Sequence, residues 1–168
     1  MKIRRPLRFL AASSYFYCQE SQPVHAMKIM IINGPNLNLL GKREQEKYGT
    51  RSFEEYLKLL KELYPAYTID HLQSNVEGEL VTHIQEAGFA CDGLVINAGG
   101  YSHTSVALAD AVAAVPAPAI EVHITNLLTR EPFRHTSLVG RACRGSIMGL
   151  GLDSYRLAIE ALRVIMQK

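Results

Sequence analysis

Five short apolar runs, each set apart from the next by a helix-length segment, pass through the chain from Met27 onward. Strands that alternate with helices in this way pair in parallel, because a parallel return needs a long crossover. A parallel sheet is covered on both faces, so its strands read as continuous apolar stretches. Leu94-Val95-Ile96 is such a stretch. Strands are expected over residues 28–33, 68–72, 93–97, 119–123 and 145–150.

The intervening segments carry helix signals. Ser52 with Glu55 is a capping box, and behind it Phe53, Tyr56, Leu57, Leu60 and Tyr64 fall on one helical face. Ser74 with Glu77 predicts a second box, before a helix that turns Leu80, Val81 and Ile84 inward and ends near Gly88. An alanine-rich helix is expected from about Thr104 to Ala114, stopped by Pro116 and Pro118. Asp153 is expected to cap a last helix, with Tyr155, Ala158, Ile159, Leu162, Ile165 and Met166 on one stripe. The sum is an α/β domain: a three-layer, flavodoxin-like, doubly wound parallel sheet of five strands in the order 2-1-3-4-5.

The 168 residues suit one domain over 27–168, with residues 1–26 read as a disordered N-terminal extension or an upstream start. The charge is uneven. Lys2, Arg4, Arg5 and Arg8 oppose only Glu20 in the first 26 residues, while the other 142 hold 14 basic and 15 acidic side chains. A nearly neutral body excludes nucleic acid as the main partner. Arg8 interrupts the apolar patch near the start, which weakens a secretory reading despite Val24-His25-Ala26. No apolar run approaches the roughly 20 residues that span a bilayer. Cys18, Cys91 and Cys143 form neither a close pair nor a metal pattern, so reduced, inert thiols in a cytoplasmic protein are expected.

In an open parallel sheet, ligands sit beyond the carboxyl ends of the strands, at the switch point between strands 1 and 3. Polar residues concentrate there. Strand 1 runs into Asn33-Gly34-Pro35-Asn36-Leu37-Asn38 and then Arg43 and Tyr48; strand 3 runs into Asn97-Ala98-Gly99-Gly100-Tyr101-Ser102-His103. Strand 4 ends in Glu121-Val122-His123-Ile124-Thr125-Asn126, with Arg134 following. The first loop lacks GxGxxG and GKS/T, which weighs against a nucleotide or flavin.

These residue types suit proton transfer. Tyrosine has a pKa of roughly 10, so only about 0.1% is ionised at neutral pH. An arginine within about 4–6 Å lowers that pKa by roughly one to three units. Arg43 could therefore make Tyr48 a general base able to take a proton from carbon. Glu121 and His123, two apart on a strand, share a face, as a carboxylate orienting an acidic imidazole would. Arg134 offers a fork for a carboxylate, and Asn36 and Asn97 hold hydroxyls or water without charge. Each also has a bland reading as a packed, capped or solvated side chain; their clustering around one crevice favours chemistry. His25, His71, His83 and His135 are read as structural.

Two other classes remain open. A non-catalytic flavodoxin-like module would use the same crevice for FMN or a phosphorylated small molecule. An imine-forming lyase would need a buried lysine, and Lys28, Lys42, Lys47, Lys58, Lys61 and Lys168 fall at strand starts, in loops or on solvent faces.

The ordered runs NGPNLNLLGKRE with a following YG, QSNVEGEL, NAGGYSHTSVAL, EVHITN, REPFRHTS and GLDSYRLAIEAL make the chain resemble the type II dehydroquinases over about 140 residues. That resemblance implies a cofactor-free, metal-free lyase that dehydrates 3-dehydroquinate to 3-dehydroshikimate by anti elimination through an enolate, in the shikimate pathway of aromatic amino acid biosynthesis or in quinate breakdown. It implies a dodecamer, a tetramer of trimers. On matching positions it makes Tyr48 the base, Arg43 its stabiliser, His123 the acid beside Glu121, and Asn36 the holder of a water at the enolate. Asn97, His103, Ile124, Thr125 and Arg134 would hold substrate, with Asp110 arriving from a neighbouring subunit. Thr125 stands where that family commonly has Ser.

Overall fold

The computed structural model describes residues 26–42 and 51–167. Five parallel strands, β1 (Lys28–Asn33), β2 (Thr68–Gln73), β3 (Gly93–Asn97), β4 (Ala119–His123) and β5 (Gly145–Met148), form one sheet in the order β2-β1-β3-β4-β5. Helices α1 (Phe53–Leu63) and α5 (Asp153–Met166) cover one face. Helices α2 (Glu77–Ala90), α3 (Val106–Ala114) and α4 (Leu138–Ala142) cover the other. The flavodoxin-like three-layer reading holds.

Strand alternation sends side chains to two cores. Ile29, Ile31, Val95 and Val122 pack under Phe53, Tyr56 and Leu60 of α1 and Tyr155, Ile159 and Leu162 of α5. Ile32, Leu94 and Ile96 pack against Leu80 and Ile84 of α2 and Leu108 and Val112 of α3. All five residues of β3 and of β4 are buried. Fully burying each such aliphatic side chain is worth about 1.5–3 kcal/mol, so these two fully buried strands anchor whatever their ends carry.

Local signals were obeyed unevenly. The Ser52–Glu55 capping box is present in both directions. The Ser74–Glu77 box is not: Val76 is the cap of α2 and makes no side-chain cap bond. Ser74 instead accepts from the Val76 N–H at 2.9 Å and donates to Glu79. The chain passes through Gly88 and continues to Ala90, because Gly88 is needed for clearance rather than termination. A Cβ there would lie 2.5 Å from Val115 Cγ2. Helix α3 begins later than expected, at Val106, since Gly99–His103 forms a separate 3-10 turn and Ser105 caps the helix through Leu108 N at 2.9 Å. Strand β5 stops at Met148 because Gly149 takes φ 88. Leu152, not Asp153, is the cap of α5. Asp153 accepts from the Tyr56 hydroxyl at 3.2 Å instead.

Candidate active site

The ends of β1 and β3 lie side by side, and the loops that leave them touch. Gly34 N donates to Asn97 O at 2.7 Å. A Cβ on Gly34 would fall 2.5 Å from Ala98 O, so only glycine lets the two backbones meet. The next residues turn sharply. Asn36 is left-handed (φ 67), the only non-glycine residue so placed among the described residues, and its N–H is held by Asn75 Oδ1 at 3.0 Å. Asparagine tolerates that region better than most side chains. Gly99 (φ 59) makes the matching turn after β3.

Strand β4 supplies the charged pair. Glu121 is 1% and His123 5% exposed, and His123 Nε2 lies 3.2 Å from Glu121 Oε1. The approach is close without the alignment of a hydrogen bond, and Nε2 is buried with no bonded partner. The carboxylate is gripped on both oxygens, by Ser137 Oγ at 2.5 Å and Ser146 Oγ at 2.8 Å. Burial alone would raise the Glu121 pKa, yet the His123 imidazole and the two serine hydroxyls outweigh it, holding the carboxyl below its usual range. Glu121 is a buried anion set directly against the His123 ring.

His103 completes the group. Its ring stacks on His123 with centroids 5.9 Å apart and planes 15° from parallel. His103 Nδ1 lies 2.9 Å from Thr136 O, which fixes that nitrogen as the donor and leaves Nε2 as an acceptor. Nε2 is buried without a partner. Burial lowers the His103 pKa, and the neighbouring His123 and Arg134 push the same way. The geometry thus offers a neutral acceptor, His103, stacked on a ring backed by an anion.

Around these rings lies a pocket of about 330 Å³ lined by Asn36, Asn97, His103, His123, Ile124, Thr125 and Arg134, with Arg130 beside them. Seven of the expected residues are therefore together, and Glu121 stands directly behind His123. Tyr48 and Arg43 lie outside the described residues, as does His25. Asp110 is exposed on α3 and does not line this pocket. Arg130 was missed; it donates from Nη1 to Thr125 Oγ1 at 3.3 Å and approaches Glu131 at 3.3 Å. Its spacing to Arg134, one helical turn around Glu131, was the available signal. Ser137 and Ser146 were also missed, since nothing local in their sequence points to Glu121.

The Dehydroquinase class II family pattern matches residues 27–163. The chain belongs to the class II dehydroquinase family. It is 52% identical over 142 residues to a 3-dehydroquinate dehydratase of Fusobacterium nucleatum, covering 81% of this chain and 96% of that one. Type II dehydroquinase structures from Butyrivibrio crossotus and Propionibacterium acnes superpose with TM-scores of 0.78 and 0.79 at 45% and 38% identity. The match to the first covers 82% of this chain and 97% of that one, and to the second 83% and 97%.

Within this class II dehydroquinase, three of the described tyrosines are held away from base chemistry. Burial raises the Tyr155 and Tyr56 phenols well above their ordinary value, with Asp153 adding to the second. Tyr64 rises to about 12 through burial and its bond to Glu160. A phenol pushed up holds its proton more firmly and is a poor general base. Among the described residues no cluster of three or more His, Cys, Asp or Glu side chains is placed to hold a metal. No helix among them is long and apolar enough to cross a membrane. Of the histidines read as structural, His135 Nε2 lies 3.2 Å from Arg130 O and His71 Nε2 3.1 Å from Asn33 Nδ2.

Proposed function

We propose that this protein is a cytoplasmic type II 3-dehydroquinate dehydratase, which removes water from 3-dehydroquinate to give 3-dehydroshikimate without a cofactor. The observation that carries the reading is the anion-backed His123 stacked on His103 in a pocket whose other polar groups are uncharged amides, a hydroxyl and arginines. Such a set matches a polyhydroxylated carboxylic acid undergoing proton transfer at carbon.

In this mechanism Tyr48, as phenolate beside Arg43, takes the proton next to the ketone. The electron pair moves into the carbonyl to form an enolate, whose oxygen is met by a water held on Asn36. Preset donors around a developing anion are usually the largest catalytic contribution. Collapse of the enolate expels the hydroxyl on the adjacent carbon but one, protonated by His123, so the leaving group departs as water. Glu121 supports the charged ring before transfer. Nε2 faces the carboxylate, so Nδ1 is the nitrogen left to serve the substrate. Asn97, His103 and Thr125 hold the hydroxyls, Ile124 contributes its backbone, and Arg134 forks onto the carboxylate. Asp110 reaches a neighbour's pocket in a dodecamer of four trimers.

The test follows the conjugated enone product by its near-ultraviolet absorbance. Wild type is expected to form it from dehydroquinate with no added metal or cofactor; no product would overturn the reading. Tyr48→Phe should lose roughly 10²–10⁴-fold or more in kcat, the range for a positioned base, while still binding substrate. Comparable turnover in that variant removes Tyr48 as the base. Arg43→Ala should raise the pH at which the basic group titrates, and an unchanged profile counts against it.

A further inference from the structure

The carboxyl ends of β1 and β3 set two asparagines side by side in register, Asn33 and Asn97, which are 0% and 3% exposed. From α5, Tyr155 inserts its hydroxyl between them. It donates to Asn33 Oδ1 at 2.8 Å and accepts from Asn97 Nδ2 at 2.8 Å. The Asn33 atom that faces His71 is Nδ2, which can only donate, so His71 Nε2, 3.1 Å away, is an acceptor. At the other end Asn97 Oδ1 accepts from Gly99 N at 3.3 Å. Donors and acceptors thus run in one sense across four side chains, and of these only Asn97 lines the pocket.

The phenol ring of Tyr155 is ordinary core, packed 5.0 Å from Phe53 and 6.5 Å from Tyr56 by ring centroids. A phenylalanine would fill that space, so the hydroxyl requires a separate reason. A carboxamide has nearly the same shape when turned over, but its hydrogen-bonding character inverts. Turned over, Asn97 would point its oxygen at the Tyr155 oxygen, and the hydroxyl could satisfy it only by abandoning Asn33. Burial of such an abandoned acceptor is costly. The phenol keeps its proton, because burial raises its pKa, so it remains both donor and acceptor.

We propose that Tyr155 is a positioning residue that acts through Asn97, locking the pocket carboxamide in one of its two orientations. The inference rests on the substrate-holding role given to Asn97 above. Its test is a double-mutant cycle on dehydroquinate turnover in the full chain. Tyr155→Phe is expected to raise KM roughly tenfold with kcat within about twofold. In an Asn97→Ala background the same change should leave KM within about twofold, since there is no amide left to orient. Should Tyr155→Phe fail to fold, Asn33→Ala, which frees the hydroxyl from its acceptor, serves as the second variant with the same expectations. Equal effects on KM in both backgrounds overturn the proposal, as does a lowered Tm with unchanged KM. Wild type runs alongside: lack of turnover there sinks the functional reading, whereas additivity sinks the positioning role alone.

Discussion

Gly140 on α4 gives a sharp test of how closely the Glu121 carboxylate is seated behind the proposed acid, His123. A Cβ at this position would overlap Glu121 Oε2, lie 2.9 Å from Ser146 Oγ and 3.1 Å from Glu121 Cδ. Ordinary contact needs roughly 3.5 Å, so in Gly140→Ala the carboxylate must retreat by about 1 Å or the helix must lift. Both of its hydroxyl partners and its 3.2 Å approach to His123 are disturbed together. Alanine gains up to about 1 kcal/mol over glycine in a helix interior. Overpacking costs about 1–3 kcal/mol, so net destabilisation is expected, with a Tm lower by a few degrees. Misplacing a catalytic group by about 1 Å can cost roughly 100-fold. We therefore expect kcat to fall about 100-fold in the enone assay, well beyond anything the Tm shift explains. Gly78→Ala is the control: nothing lies within 4 Å of its Cβ, and activity should not change. Gly140→Ala turning over at the wild-type rate would refute the claim that Glu121 sets the acid.

Two further outcomes are expected. Arg134→Lys keeps the charge but loses the planar fork, so KM for dehydroquinate should rise about tenfold with kcat nearly constant; unchanged KM would remove Arg134 from carboxylate binding. Glu121 has a depressed pKa in the folded state, so its contribution to stability is present above the ordinary carboxylate range and lost as pH falls through that lower value. Thermal melts from pH 7 downward should therefore show a shallower acid limb in Glu121→Gln than in wild type, and parallel limbs would contradict the assignment.

The sheet was legible wherever burial on both faces leaves no polar alternation. β1, β3 and β4 begin and end where the apolar runs do. The Ser52–Glu55 box was readable because both partners lie within one turn of each other. The Ser74 misreading has the opposite cause: its hydroxyl found Glu79, five residues on, and tertiary placement chose between two nearby carboxylates. Gly88 looked like a stop because its real constraint, Val115, lies on another segment. In the pocket, side chains at strand ends could be grouped by topology alone. The four-residue chain through Tyr155 could not, since its members stand up to 122 positions apart. Arg130 carries in sequence only its spacing to Arg134, which does not by itself separate a pocket residue from a solvated charge.

Ser137 holds two posts at once. Its oxygen accepts the Gly140 N–H at 2.9 Å as the cap of α4, and its proton goes to Glu121. α4 has only five residues, and helices this short do not persist on their own. Each fraying of that single turn therefore also removes a hydrogen bond from the carboxylate behind His123. Amide exchange at Gly140 should report how often the Glu121 carboxylate loses this partner, so that, if His123 is the acid proposed above, local breathing and turnover would vary together.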